Sequence, residues 1–165
     1  MKHRQAPGPA FWIDPLWCAW FSGLIDGEGS FLIGFNKGSS SFSCYIQIKL
    51  REDDASVLEE KINYVLHCGR LYHIDYAKAR ASGERASDQV AWLCYSTGDL
   101  ANIVIPLLDE FGLRSKKQRD YEIWREAVLL KYESKHSVRQ MLRLKRELEL
   151  TRRNRRFPLF SHWRV

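Results

Sequence analysis

One abrupt change of pattern constrains the fold of this chain more than any other feature. The segment from Leu16 to Asp26 is apolar on nearly every side, and the preceding Asp14 and Pro15 are typical of a helix start. From Ser30 onward, apolar and polar residues alternate as they do in a strand. A helix that is apolar on all sides has to be covered on all sides, so other parts of the structure are expected to enclose it.

Glycine and acidic residues are concentrated where this helix is predicted to end, between Gly27 and Gly29. Gly23 and Gly27 are four residues apart on one helix face, which allows two such helices to approach backbone to backbone. Asp26 and Glu28 add carboxylates, whose oxygens suit a hard cation such as Mg²⁺. A core helix with a glycine C-cap and two surface acids is the simpler alternative.

The rest of the chain follows strand and helix patterns in turn. With the first helix, the order α-β-β-α-β-β-α-α predicts an α+β domain in which helices cover one face of a single antiparallel sheet. A polar loop is predicted between the third and fourth strands. The predicted strands are 30–36, 43–51, 70–76 and 89–96, and the later helices are 52–68, 98–111, 116–132 and 137–150.

Composition limits the class of protein. The 165 residues are 45% hydrophobic and 28% charged, which allows a core to form and argues against disorder. No apolar run approaches the roughly 20 residues that cross a bilayer, and the first residues lack a secretory signal, so we expect a protein inside a cell or organelle with no membrane partner. The four cysteines stand singly among apolar neighbours, without metal-site spacing, and are predicted to be buried thiols.

The basic residues are concentrated in the last fifth of the sequence. Residues 1–130 carry 15 Lys+Arg against 17 Asp+Glu, whereas residues 131–165 carry 11 against 3. The run Thr151-Arg-Arg-Asn-Arg-Arg indicates a segment that binds phosphates, with a solvated tail as an equal alternative. The second face of the predicted sheet is also polar and basic. Such a face is commonly left to water, but Arg, Lys, Gln and Asn side chains also bind base edges in a DNA major groove.

The segment 21–31, Phe-Ser-Gly-Leu-Ile-Asp-Gly-Glu-Gly-Ser-Phe, resembles the defining motif of the LAGLIDADG homing endonucleases. The resemblance extends over about residues 14–132, where 46–54 is similar to the family's second strand and 113–121 to the segment that brings a lysine to the active site. It implies the αββαββα fold with a saddle-shaped antiparallel sheet. The expected division is a lead-in (1–13), an endonuclease domain (14–132) and a basic C-terminal helix and tail (133–165).

The resemblance also implies roles for single residues at the end of the motif. Glu28 aligns with the acid that binds the divalent metal, expected to be Mg²⁺, and the peptide carbonyl of Gly27 is a further expected ligand. Asp26 is expected either to cap a helix or to contact the metal. Lys116 is the predicted active-site lysine, which stabilises negative charge on the phosphate, and Lys117 is the second candidate.

The residue that orders the attacking water is not identified. Leu50 stands where some relatives carry a glutamine for this purpose. Gln47 is kept as a catalytic candidate, although contact with bases or phosphates is favoured for it.

Because the chain has a single motif, the resemblance implies a homodimer in which two motif helices pack across a twofold axis to form the catalytic centre. The interface is expected to contain Trp17, Trp20, Phe21, Gly23, Leu24 and Gly27. The residues expected to bind DNA are Ser30, Leu32, Asn36, Lys37, Ser43, Tyr45, Gln47, Lys49, Arg51, Arg70, Tyr72, Lys78, Arg80, Arg85, Lys117, Arg152 and Arg153.

The expected function is a double-strand break in a long, near-palindromic DNA site by metal-dependent phosphodiester hydrolysis. The alternative on the same fold is an intron-RNA maturase or a non-cleaving DNA-binding protein, which keeps intron RNA as an alternative partner. The location stays open between an organelle, either mitochondrion or chloroplast, and a prokaryotic cytoplasm.

Overall fold

The computed structural model describes residues 13–36, 38 and 41–153, and it confirms the predicted αββαββα order. One antiparallel sheet has the strand order β1-β2-β4-β3. Its strands are β1 (Gly29–Asn36), β2 (Ser41–Arg51), β3 (Arg70–Ile74) and β4 (Gln89–Cys94). The α-helices are α1 (Pro15–Glu28), α2 (Tyr64–Leu66), α3 (Ala77–Ala81), α4 (Thr97–Asp99), α5 (Ile105–Phe111), α6 (Lys117–Tyr132) and α7 (Val138–Arg153).

The sequence explains where α1 begins and ends. The Asp14 carboxylate accepts a hydrogen bond from the N–H of Leu16 (3.1 Å), and Pro15 occupies the first turn, where its missing N–H costs little. The chain passes from α1 into β1 at Gly29 without a loop. A Cβ atom on Gly29 would lie 2.6 Å from the carbonyl oxygen of Ile25, so this junction requires glycine.

The register of the sheet separates an apolar inner face from a polar outer face. Phe31 of β1 lies opposite Ile46 of β2, and both side chains are buried on the inner face. Ser30 lies opposite Gln47 on the outer face, because successive residues of a strand point to opposite sides. The predicted alternation of the first two strands is therefore confirmed.

One core fills the space between the inner face and the helices. Trp92 of β4 and Trp124 of α6 are its largest fully buried side chains. The Phe21 ring of α1 meets Trp92 edge-on, with ring centroids 6.2 Å apart, and the indole N–H of Trp92 donates to the Cys68 carbonyl (3.0 Å). All four cysteines are free thiols and buried, as predicted.

Two helices that are predicted to be continuous consist of segments with different pitch. In the first, a 3₁₀ turn (Glu52–Asp54) and a wide, π-helical segment (Val57–Asn63) precede α2. In the second, another wide segment (Leu100–Val104) separates α4 from α5. Pro106 lies in the first turn of α5, and its missing N–H and its ring account for the widening just before it. None of the helices in the described ranges is long and apolar enough to cross a membrane.

The last helix, α7, is part of the same core. Its Met141, Leu144 and Leu148 side chains are buried with the residues of the sheet and of α6. At its C-terminal end, the Arg152 guanidinium donates to the carbonyl of Phe31 in the edge strand β1. The helix predicted for 137–150 therefore covers an edge of the sheet, which blunts an otherwise open strand.

Candidate functional site

The C-terminal end of α1 concentrates negative charge. Asp26 and Glu28 lie in its last turn, which contains no basic residue. The C-terminus of a helix carries a partial negative charge of its own, so carboxylates there are unfavourable unless a positive group compensates them. The Glu28 side chain is exposed, and it forms no hydrogen bond or ion pair with the residues that the structure describes. This end of α1 is therefore a favourable place for a cation.

The ammonium group of Lys117 supplies part of that positive charge. Its Nζ atom donates to the carbonyl oxygens of Ile25 (3.1 Å) and Gly27 (3.0 Å). Lys116, which the sequence predicts as the active-site lysine, precedes the first residue of α6 and is exposed. Successive residues of a helix point about 100° apart, so the two lysines do not point the same way. The structure brings the second candidate, Lys117, to the end of α1.

Asp26 is held by the loop that leads into α6. Its Oδ2 accepts the backbone N–H groups of Arg114 (2.9 Å) and Ser115 (3.0 Å), and its Oδ1 accepts the Ser115 hydroxyl (2.6 Å). Partial burial raises the pKa of Asp26, but the Ser115 hydroxyl and the two N–H groups outweigh it and hold the pKa below its ordinary value. Of the two roles expected for Asp26, these contacts are those of a cap.

The outer face of the sheet carries most of the residues that are predicted to bind DNA. None of the four described strands contains an Asp or Glu, so the charge that these strands contribute is positive. Gln47 lies opposite Ser30, which is only two residues beyond Glu28. The predicted residues that the register places on this face are Ser30, Leu32, Asn36, Ser43, Tyr45, Gln47, Lys49, Arg51, Arg70 and Tyr72.

Other residues predicted to bind DNA are used within the fold. Arg80 donates two hydrogen bonds to the Asp88 carboxylate (2.6 and 3.2 Å), which closes the connection between β3 and β4. Arg152 binds a backbone carbonyl of β1, so it belongs to the packed end of α7 and not to a free arm. We therefore assign no DNA contact to Arg80 or Arg152. Arg85 is exposed and stays a candidate. Lys37 and the side chains of Lys78 and Arg153 lie outside the described residues.

Sequence reasoning missed the contribution of β4 to the outer face. Gln89 lies opposite Arg51, and Leu93 lies opposite Arg70. The exposed ring of Tyr95, just after β4, lies 5.7 Å from the Arg70 guanidinium carbon, which is close enough for a cation–π contact. The alternation of residues in this strand was the available signal. Once β4 is known to lie between β2 and β3, this alternation assigns Gln89 and Leu93 to the outer face.

One side of α1 is not covered by the protomer. We call Leu16, Trp20, Gly23 and Gly27 the outer face of α1, because spacings of four, three and four residues place them on one side of the helix. Leu16 is 79% exposed and Trp20 is 40% exposed. A Cβ atom on Gly23 or Gly27 would meet no other atom within 4 Å. This face is thus apolar, shallow and open.

Not all residues predicted for the dimer interface lie on that face. Phe21 is fully buried and stacks on the ring of Trp17 (centroids 5.2 Å apart), so its placement at an interface is wrong. Trp17 and Leu24 are half-buried, and the indole N–H of Trp17 donates to the Lys61 carbonyl (2.8 Å). Because the segment is apolar all round, its sequence does not reveal which side faces the core. The prediction therefore also missed Leu16.

The end of α1 suits a hard divalent cation but does not complete its coordination. The available groups are the Glu28 carboxylate and the carbonyl oxygen of Gly27, which already accepts the positive Lys117. Oxygen ligands are those that Mg²⁺ and Ca²⁺ prefer. Within residues 13–36, 38 and 41–153, no three His, Cys, Asp or Glu side chains are grouped to hold a metal. A metal ion held here would need further ligands from outside these residues.

Comparison with known proteins points to one family. The model of the family described as LAGLIDADG endonuclease matches residues 21–128. Among solved structures, the LAGLIDADG meganuclease I-AabMI bound to uncleaved DNA is 28% identical, with a TM-score of 0.67, over 84% of this chain and 45% of that chain. The meganuclease I-SmaMI bound to uncleaveable DNA is 22% identical, with a TM-score of 0.65, over 79% and 42%, and it supports the fold alone.

Two curated proteins are similar as well. The probable intron-encoded DNA endonuclease 1 of Mycosarcoma maydis is 24% identical over 118 residues, which are 71% of this chain and 40% of that protein. The probable intron-encoded endonuclease 2 of Neurospora crassa is 29% identical over 139 residues, covering 76% of this chain and 28% of that protein. The matched region therefore spans less than half the length of either protein.

Proposed function

The chain belongs to the LAGLIDADG endonuclease family, and from that premise we propose that it is a site-specific homing endonuclease that acts as a homodimer. It would cut both strands of a long, near-palindromic DNA site by metal-dependent hydrolysis. The observation that carries the proposal is the position of Glu28. This carboxylate has no described partner, and it lies where the negative end of α1 meets a sheet face whose strands carry no acid.

The outer face of the sheet is suited to reading DNA. Lys49 and Arg70 provide positive charge for phosphates and donors for guanine, and Gln47 and Gln89 provide amides that pair with adenine. Arg51 would join them by exchanging its exposed ion pair with Asp53 (2.9 Å) for a phosphate. The DNA-bound state of I-AabMI supports this choice of substrate. We therefore assign base readout to the outer face, and we give Gln47 a contact to DNA next to the cleavage site.

Glu28 and the Gly27 carbonyl are the groups that would hold the metal, for which Mg²⁺ is the proposed ion. When bound, such an ion supplies an activated water and neutralises charge on the scissile phosphate. Glu28 gives it a negative ligand, and the partial negative charge at the end of α1 strengthens the attraction. The remaining ligands would be phosphate, water and the Glu28 of a second copy.

Lys117 is the lysine that we propose for the active site, in place of Lys116. Its ammonium group already lies within 3.1 Å of two carbonyl oxygens at the end of α1, next to Glu28. From this position it would stabilise the negative charge that develops on the phosphate in the transition state. Lys116, exposed at the start of α6, would contact the DNA backbone instead.

A second copy of the chain would complete the centre. The outer face of α1 is apolar and lets another helix approach closely at Gly23 and Gly27. Two copies related by a twofold axis would bring two Glu28 side chains together and require a near-palindromic target. Within each copy, residues 14–132 would form the endonuclease unit, which α7 extends.

The proposal is tested by incubating the protein with Mg²⁺ and a randomised near-palindromic DNA library and sequencing the cut ends. We expect one enriched site, cut in both strands, and no cutting when EDTA removes the metal. Glu28→Gln should lose cleavage by at least about a hundredfold and keep binding. Glu60→Gln, the same change at an exposed position on a different helical segment, is the control and should cut normally. Specific binding without cutting by the wild type would favour the non-cleaving alternative.

The assignment of the lysine has its own matched pair. Lys117→Met should slow single-turnover cleavage about 10²- to 10³-fold, because an electrostatic contact to the transition state is lost. Lys116→Met removes the same charge one residue away and should mainly weaken binding. The reverse pattern would restore Lys116 as the active-site residue.

A further inference from the structure

Asp26 occupies a position that connects two helix ends. It lies in the last turn of α1, where a carboxylate is unfavourable, and it faces the start of α6, where N–H groups are unsatisfied and a carboxylate is favourable. Its two oxygen atoms accept three donors, the N–H groups of Arg114 and Ser115 and the Ser115 hydroxyl, and the Ser115 N–H is shared between both oxygens. A carboxylate has about four lone-pair sites, so these donors occupy most of its acceptor capacity. Asp26 is therefore held by hydrogen bonds from the loop that leads into α6.

Ser115 links Asp26 to the backbone of Lys117. Its hydroxyl donates to Asp26 (2.6 Å) and accepts the backbone N–H of Lys117 (3.1 Å), which is the first residue of α6. The residue before Lys117 provides no side-chain cap, so Ser115 is the group that caps this turn. The backbone from which the Lys117 side chain extends is therefore tied to the motif helix on which its ammonium group rests.

We propose that Asp26 is a positioning residue, which acts through Ser115 to hold the Lys117 ammonium group at the end of α1. This inference rests on the proposed function, since the positioned lysine matters only if the end of α1 is the cleavage centre. A lysine side chain has four rotatable bonds, and a loose anchor would spread its ammonium group over many positions. Displacements of about 1 Å are enough to reduce catalysis strongly. Asp26 thus orients the site without being a metal ligand.

The first test measures Lys117 without DNA or metal. Acetic anhydride acylates accessible amines, and peptide mass spectrometry gives the rate at each lysine. We expect Lys117 to react several-fold faster in Asp26→Asn than in the wild type, because the amide cannot accept all the donors of the loop. Lys49, exposed on β2, is the internal reference and should react equally in both. An unchanged rate at Lys117 would overturn the proposal whether or not the protein cuts DNA.

The second test is a double-mutant cycle on single-turnover cleavage. Asp26→Asn should slow cleavage about tenfold or more in the wild-type background and have almost no effect when Lys117 is already Met. Ser115→Ala should reproduce the loss, and Ser115→Thr, which keeps the hydroxyl, should restore the rate. Independent, additive effects of the Asp26 and Lys117 changes would contradict a role through Lys117.

A control separates positioning from general stability. Asp109→Asn removes a carboxylate with comparable contacts, to Arg125 and the Tyr121 hydroxyl, between α5 and α6. It should lower the unfolding temperature without changing acylation at Lys117. If Asp26→Asn does not fold, Ser115→Ala takes its place in both tests with the same expected results. A change at Lys117 in Asp109→Asn equal to that in Asp26→Asn would show a merely structural effect.

Discussion

The buried side and the outer face of α1 belong to the same helix but differ in their packing and in their exposure to solvent. On the buried side, Phe21 is enclosed by aromatic rings, and the Ser22 hydroxyl donates to the Gly112 carbonyl (2.5 Å). On the outer face, Leu16 protrudes into solvent and Gly23 leaves open space. The fold of one protomer accounts fully for the buried side. The second copy that we propose would cover the apolar, exposed outer face, so the two sides of α1 are expected to serve the fold and the assembly respectively.

The largest predicted difference concerns two neighbouring aromatic residues. Phe21→Ala should lower the free energy of unfolding by about 3–5 kcal/mol, because it leaves a cavity in a closed core. Trp20→Ala should lower the free energy of unfolding by less than about 1 kcal/mol. This variant is measured in a Gly23→Leu background, so that dissociation of the proposed dimer does not contribute to the measured value. Urea denaturation followed by circular dichroism measures both. Equal losses of unfolding free energy in Phe21→Ala and Trp20→Ala would show that the buried and outer sides of α1 are equally well packed.

The glycines of the motif provide the second contrast. Gly29→Ala should cost about 1–3 kcal/mol of unfolding free energy, since the new Cβ would be forced against the backbone of Ile25. Gly27→Ala should leave the protomer as stable as before or slightly more stable, since its Cβ points into open space. The Gly27 variant should nevertheless dimerise less tightly. A strongly destabilised Gly27→Ala protomer would show that this side of the helix is already packed.

A smaller effect is expected at Ser22. Ser22→Ala removes its hydrogen bond to Gly112, and about 1 kcal/mol of stability should be lost in thermal unfolding. The dimer dissociation constant should not change, because Ser22 faces α5 and not the partner. A weakened dimer would show that Ser22 contributes to the dimer interface, which contradicts its assignment to the buried side of α1.

The smallest predicted effect is a pH dependence at Asp26. Its pKa is lower in the folded protein than the ordinary 3.8, so its ionised form stabilises the fold. That contribution is complete above the ordinary value and is lost as the pH falls through the lowered pKa. The difference in unfolding temperature between wild type and Asp26→Asn should therefore be present at pH 6 and shrink toward pH 3. A difference that grows on acidification would contradict the assignment.

Much of the fold could be predicted because local patterns and tertiary packing agree. The alternation in β1 and β2 assigns their faces correctly, since one face of a sheet is buried and the other is not. Asp14 and Pro15 locate the start of α1 to the residue. Pro106 was a signal for the wide turns at Leu100–Val104 that the prediction of one continuous helix overlooked. The helix α3 had no equally clear signal, because it depends on where neighbouring segments constrain the backbone.

The candidate site was less predictable where orientation decides the outcome. Lys116 and Lys117 are the same residue type in sequence, and only the first turn of α6 determines which of them points at the end of α1. Phe21 was misplaced because α1 is apolar on both sides. Arg152 lies in a basic run, but its contact with a strand carbonyl exists only after α7 has packed on the sheet.

The mass of the protein in solution tests the central claim most directly. Sedimentation equilibrium at micromolar concentration should give twice 19.4 kDa for the wild type. Gly23→Leu, which fills the open space on the outer face of α1, should give 19.4 kDa with an unchanged circular dichroism spectrum. A wild type that stays at 19.4 kDa under conditions in which it cuts DNA, or a Gly23→Leu variant that still forms the dimer, would contradict the account.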